Sequence, residues 1–231
     1  MKTLKNQLDS LYISCMSCPN TEKQCKEILK DYKNGIPPRG FLFKAAPVKL
    51  LVVSKNPGHP LNGETKKYIG RMGIDLFEAF RNHQKEVYYH LNKSKDRNLR
   101  FHKNLFSYMS YVFKIDPKEG EYDIDKIYQH MAHTSLVKCS TNGEQDKLNP
   151  QTMEECFNKY FLDELKLLKP KVLLALGREV ENFLNAKKAE FKLPKELKII
   201  YIKHPSYPLG RQNEKRILSD IKKRIAKYSK D

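Results

Sequence analysis

Four cysteines constrain this chain more than any other feature. Cys15 and Cys18 form a C-x-x-C near the N-terminus, whereas Cys139 and Cys156 lie far downstream with sixteen residues between them. Short zinc ribbons and fingers close locally, across a few residues at a time. A set running from residue 15 to residue 156 does not. For these four to act together, the fold has to bring the start of the chain against its middle. A metal centre would hold that closure, an iron–sulfur cluster first and zinc as the alternative. Cys25 makes the cysteine count odd, which argues against a fully paired disulfide framework and for a reducing compartment. Cys25 is read as a spare thiol, with a local C-x-x-C-x6-C triplet left open.

Charge points to the partner. The 231 residues carry 44 Lys and Arg against 27 Asp and Glu, an excess of 44 − 27 = 17 positive charges. Such an excess favours a polyanion, because each phosphate contact releases condensed counterions. Part of it is solvated helix face, as at Lys222, Lys223 and Lys227. No apolar run has the length of a membrane span, and Met1-Lys2-Thr3-Leu4-Lys5 opens without an apolar stretch of secretory type. The expectation is a cytoplasmic monomer of prokaryotic intracellular type, with no membrane partner.

The pattern of apolar residues predicts an α/β chain. Residues 4–33 read as helical with a break near Pro19. Val48 to Val53 is a short β-branched run ending in the loop Ser54-Lys55-Asn56-Pro57-Gly58-His59-Pro60. Residues 65–82 and 99–113 have helical spacing. A second strand is placed at Ser135 to Cys139, and a helix runs from Asn149-Pro150 through Leu168. Strands at 172–176 and 199–202 follow, separated by a helix from Arg178, and a basic helix from about Gln212 to Tyr228 ends the pattern. Nearly unbroken apolar strands alternating with helices predict a three-layer α/β/α sandwich around a four-stranded, mainly parallel sheet. The whole chain, 1–231, reads as one domain, with 84–130 as a helical insertion. In such sheets ligands bind at the carboxyl ends of the strands. That places the loops at 54–60, after Cys139 and at 204–211 on one edge.

Together these loops resemble the uracil-DNA glycosylase superfamily. Val137-Lys138-Cys139, Asn149-Pro150, Cys156, Leu168-Lys169-Pro170-Lys171-Val172, Ala175-Leu176-Gly177-Arg178 and His204-Pro205-Ser206 are similar to its iron–sulfur branch, family 4. In that branch four cysteines bind a 4Fe–4S cluster in the order in which Cys15, Cys18, Cys139 and Cys156 occur. The likeness covers roughly residues 12–225. Two positions depart from it. The first motif of the branch reads G-E-x-P-G, and here it is Ser54-Lys55-Asn56-Pro57-Gly58, whose N-P-G is more like the mismatch-specific and single-strand-selective branches. Ser135 stands where family 4 carries the Asn that reads the uracil edge. A hydroxyl cannot match an imide edge in a bidentate way, so either a backbone group reads the base or the pocket takes something different, with hypoxanthine, xanthine and damaged pyrimidines beside uracil.

The resemblance implies a monofunctional DNA glycosylase of base excision repair. Asn56 would orient the attacking water and face the cationic sugar, and His204 would donate to a carbonyl oxygen of the departing base. Tyr68 would stack on the extruded base. Ser135, His59 and Asn62 are further substrate-binding candidates. Leu209, with Tyr207, is the candidate wedge that fills the gap left by the flipped nucleotide, and Ser206 and Arg211 would grip phosphates. The alternative is a catalytically silent nucleic-acid-binding relative that keeps the fold and the cluster.

Overall fold

The computed structural model describes residues 3–16, 18, 28–29, 48–57, 64–71, 73–89, 91, 99–117, 121–141 and 148–228. In chain order these form α1 (Leu4–Met16), β1 (Ile28–Leu29), β2 (Leu50–Ser54), α2 (Gly73–Tyr89), α3 (Arg100–Phe113), α4 (Ile124–His130), β3 (Met131–Ser135), β4 (Ser140–Thr141), α5 (Pro150–Cys156), α6 (Leu162–Leu168), β5 (Val172–Leu176), α7 (Arg178–Glu190), β6 (Lys198–Ile202) and α8 (Arg211–Tyr228). A π-helical turn, Phe157–Phe161, joins α5 to α6.

The chain divides into two compact units. The first comprises Met1–Ala46, Lys55–Lys85 and Thr134–Leu168; the second comprises Pro47–Ser54, Glu86–His133 and Lys169–Asp231.

The second unit carries the sheet, ordered β3-β2-β5-β6. β2 pairs in parallel with β5, from Leu50 opposite Val172 to Val53 opposite Ala175, and β5 pairs in parallel with β6. The central strands are apolar without alternation because both of their faces are covered. All five residues of β2 and all five of β5 are buried. At the edge, β6 alternates instead, with Ile200 and Ile202 inward and Lys198, Ile199 and Tyr201 half-buried. Burying one such Leu, Ile or Val stabilises by about 1.5–3 kcal/mol, so these strands dominate the unit's core. α7 packs on β5 and β6, and α8 packs on β6 and α3. Leu105, Phe106 and Met109 of α3 and Ile127 of α4 are fully buried, so this stretch is built into the core of the unit.

In the first unit α1 lays Leu8, Tyr12 and Cys15 inward, a spacing of four and three residues along one helical face. That face meets α6 and the π turn, where Phe157 and Phe161 are fully buried and stack at 5.5 Å. Asn149 caps α5 by accepting from the Gln151 N–H, and Pro150 takes the first helical position, where no N–H is needed.

The expected α/β class holds: the sheet is four-stranded, parallel and flanked by helices. Three local expectations are corrected. The second strand of the main sheet is Met131–Ser135, not Ser135–Cys139, because residues 136–139 bend around the buried Lys138 amine. The helix expected over 65–82 is a 3₁₀ turn at Thr65–Lys67 followed by α2 from Gly73, with Gly70 at φ +76 breaking the two apart. Residues 28–29, expected to be helical, pair as a strand with Ser140 and Thr141.

Candidate functional site

Cys15, Cys18, Cys139 and Cys156 all belong to the first unit. Cys15, Cys139 and Cys156 are buried, Cys18 is half-buried, and all four are free thiols. Burial pushes the Cys15 thiol well above its usual range, and Cys139, Cys156 and Cys18 push it further, while Lys138 opposes them. Thus the other three cysteines all lie within electrostatic reach of Cys15. The Tyr160 hydroxyl, on the π turn, is also pushed up, first by burial, then by Cys15 and by a hydrogen bond to Cys18. β4 starts one residue after Cys139 and pairs with β1, which pins that segment to the N-terminal part of the chain. Four thiols of this kind match the chemistry of an iron–sulfur or zinc site. They are gathered rather than closed: among the described residues, no group of three or more His, Cys, Asp and Glu is already set to hold a metal ion. Electrostatic reach extends well beyond a metal–sulfur bond of about 2.3 Å, so the two observations are compatible. Cys25 lies outside the described residues.

Beside the cysteines sits a buried ion pair that the sequence did not announce. Lys138 and Glu164 are fully buried and 2.8 Å apart. Lys138 Nζ also donates to Thr134 Oγ1 at 2.8 Å and to the Ser135 carbonyl at 2.7 Å. Glu164 accepts from Tyr12 at 2.7 Å and from Thr134 at 3.0 Å. The network therefore joins α1, the end of β3 and α6.

Asn56 leaves β2 two residues after Ser54. Its Nδ2 donates to the Pro57 carbonyl at 3.1 Å, which turns the Oδ1 carbonyl to the other side of the amide. The neighbouring Lys55 carbonyl accepts from the Val137 N–H at 2.9 Å, so this segment lies alongside the stretch after Ser135. Ser135 is 3% exposed, and its carbonyl is engaged by Lys138. Tyr68 is 1% exposed, packed with Phe80 at 6.4 Å and His83 at 6.1 Å, with its hydroxyl on Glu64. This is the packing of a core aromatic, so an extruded base could stack on its ring only after the packing opened. His59 and Asn62 lie outside the described residues.

The second unit holds the His204 loop. The Ser206 N–H donates to His204 Nδ1 at 3.3 Å, and the Tyr207 N–H donates to the His204 carbonyl at 2.9 Å, closing a turn. A neutral imidazole that accepts at Nδ1 carries its proton on Nε2. The ring lies 5.1 Å from Phe101 and 6.3 Å from Tyr207. Gly177, at φ +105, passes so close that a Cβ there would stand 3.7 Å from that of His204. Tyr207 is 63% exposed and Leu209 is 8% exposed. As the loop stands, Tyr207 is its projecting apolar side chain, and Leu209 would have to leave its packing to act as a wedge. Arg211 begins α8; its side chain is outside the described residues.

Two residues of this unit escaped the sequence reading. His133 Nε2 lies 3.2 Å from Ser54 Oγ, at the carboxyl end of β2, and its ring is 5.7 Å from Phe101. Phe101 thus lies against the rings of His133 and His204, with that of its neighbour His102 at 5.0 Å. Only the regular spacing of α3 hinted at Phe101, and His133 stood outside the strand expected at Ser135 to Cys139.

The crystal structure of wild-type SMUG2 from Pedobacter heparinus is similar over 99% of this chain and 97% of that one, at 14% identity and a TM-score of 0.45. No curated protein matches the chain. The model of the Uracil DNA glycosylase superfamily matches residues 42–226, which takes in the sheet, Asn56, Ser135 and the His204 loop. The chain belongs to the uracil DNA glycosylase superfamily.

Proposed function

We propose that this chain is a monofunctional DNA glycosylase that removes a deaminated base, uracil first, with hypoxanthine and xanthine as further candidates. Water adds its oxygen to C1′ of the nucleotide. The C1′–N bond breaks, its electron pair leaves with the base, and the proton released from water ends on the base or in solvent. Positive charge builds on the sugar and negative charge on the base, so the site's task is chiefly electrostatic. Asn56 Oδ1 serves as the acceptor that orients the water and faces the sugar. His204 Nε2–H serves as the donor to the carbonyl oxygen of the departing base.

The observation that carries this reading is the Ser206 N–H on His204 Nδ1. It supports a neutral imidazole with its donor at Nε2, which is the state that a leaving base needs and that requires no acidic pH. Tyr207 is the proposed wedge in the loop as it stands, with Leu209 following if the loop opens. Ser206, Arg211 and the basic face of α8 are the proposed phosphate contacts. Where the preferred base is concerned, the small, buried Ser135 supports a pocket without an Asn-type reader of the uracil edge.

Cys15, Cys18, Cys139 and Cys156 are the proposed ligands of a 4Fe–4S cluster, with zinc as the alternative. Hydrolysis transfers no electrons, so the group would supply structure, tying the N-terminal segment to the segment between Cys139 and Cys156.

Oligonucleotides carrying uracil, hypoxanthine or xanthine, single-stranded and paired, test the reading through alkaline cleavage of the abasic site. Release of one of these bases is the expected result and names the substrate. Metal-loaded protein that binds the DNA but releases none of them would instead be the silent nucleic-acid-binding relative.

A further inference from the structure

Three side chains of α3 reach the same loop. Phe101, Asn104 and Tyr108 are spaced by three and four residues, so they share one helical face. Phe101 sets its ring 5.1 Å from the His204 ring. Asn104 donates from Nδ2 to the Pro205 carbonyl at 2.6 Å. Tyr108 is 3% exposed, and the backbone of Leu209 lies near enough to its hydroxyl to oppose the upward shift that burial gives it. The helix therefore touches the beginning, the second residue and the end of the segment from His204 to Leu209.

The loop needs such support. Pro205 and Pro208 have no N–H to donate, so the segment cannot brace itself with a ladder. Its own bonds include the Ser206 N–H on His204 Nδ1, the turn from Tyr207 to His204 and an exposed bond from Lys203 Nζ to the Pro208 carbonyl. The Pro205 carbonyl is satisfied from α3, and Pro205 itself is buried.

We infer that α3 is the positioning element of the His204 loop, with Asn104 as its principal positioning residue. The inference deepens the glycosylase reading and rests on it for the role of His204. Asn104 does not touch the base. It fixes the Pro205 peptide, which follows His204 directly, while Phe101 limits the rotation of the imidazole. A donor misplaced by about 1 Å costs on the order of 100-fold in rate, so the Asn104 bond reaches catalysis through the placement of Nε2. Polar residues at 101–108 would read from sequence as solvated helix face, and this geometry gives one of them a task.

The test is Asn104→Asp, which keeps the shape of the side chain but has no N–H to donate and sets a carboxylate against the Pro205 carbonyl. Phe101→Leu is the second variant, keeping an apolar side chain while removing the ring. Single-turnover base release, DNA affinity and the nitrogen resonances of the His204 ring in DNA-free protein are measured for each. The expected result is release slowed roughly 10- to 100-fold, DNA affinity changed much less, and altered His204 ring resonances. Unchanged release together with unchanged His204 resonances in both folded variants would overturn the inference while leaving the glycosylase reading intact. Full release by His204→Ala would overturn both, since α3 would then be positioning a residue the reaction does not use.

Discussion

Lys138→Met is expected to destabilise the protein by about 3–5 kcal/mol, because it leaves Glu164 as an uncompensated charge in a fully buried site. Tyr12 and Thr134 would still donate to that carboxylate, but neither hydroxyl supplies a positive charge. The Ser135 carbonyl would lose its Lys138 donor at the same time. Adding Glu164→Gln to Lys138→Met should recover most of the loss, since the amide oxygen still accepts from both hydroxyls and no charge remains buried. Urea unfolding of the two variants measures this. A cost below about 1 kcal/mol for Lys138→Met would mean that water reaches the pair and that it is not the buried network described here. The consequence extends beyond stability. The network binds α1, which carries Cys15, to the end of β3, which carries Ser135, so its loss loosens the cysteine centre and the proposed base pocket together.

Cys15→Ser is expected to abolish binding of the proposed metal and, with it, to destabilise the first unit strongly. Cys15 lies within electrostatic reach of Cys18, Cys139 and Cys156 and is 1% exposed. Metal binding that forms a site on folding contributes its free energy to folding, which for structural zinc is about 10–16 kcal/mol in the best-studied small domains. Protein purified without oxygen should contain about four iron and four sulfide per chain for the cluster, or about one zinc for the alternative. Metal retained by Cys15→Ser at the wild-type level would remove Cys15 from the ligand set.

How legible the molecule was depends on where local pattern and long-range packing agree. β2, β5, β6 and the long helix from Asn149-Pro150 to Leu168 were readable because their apolar runs, proline and cap all point the same way. The placement of β3 was missed. Val137-Lys138-Cys139 is apolar enough to resemble a strand, whereas Met131–Ser135 has in Thr134 its one residue of the β-branched or aromatic kind that marks a strand. What decides the matter is the buried Lys138 amine, and a fully buried lysine is too rare for a pattern to anticipate. Tyr68 illustrates the opposite difficulty. A tyrosine in the right place for stacking and a tyrosine for a core have the same sequence, and only the rings of Phe80 and His83 around it separate them. Asn56 and His204 were singled out by their place at the ends of two strands and in the order of the family's motifs, and their roles are proposals. The face of α3 that holds the His204 loop was not singled out, because Asn104 meets its partner 101 residues away.

The most direct measurement is the single-turnover rate of base release from the preferred oligonucleotide, in wild-type protein, Asn56→Ala and His204→Ala. Removing one aligned donor or acceptor from a developing charge costs roughly 100- to 1,000-fold in rate. Each variant should fall by about that much while its DNA affinity and melting temperature stay near those of the wild type. Release at the wild-type rate in both variants would contradict the account, whatever base the enzyme removes.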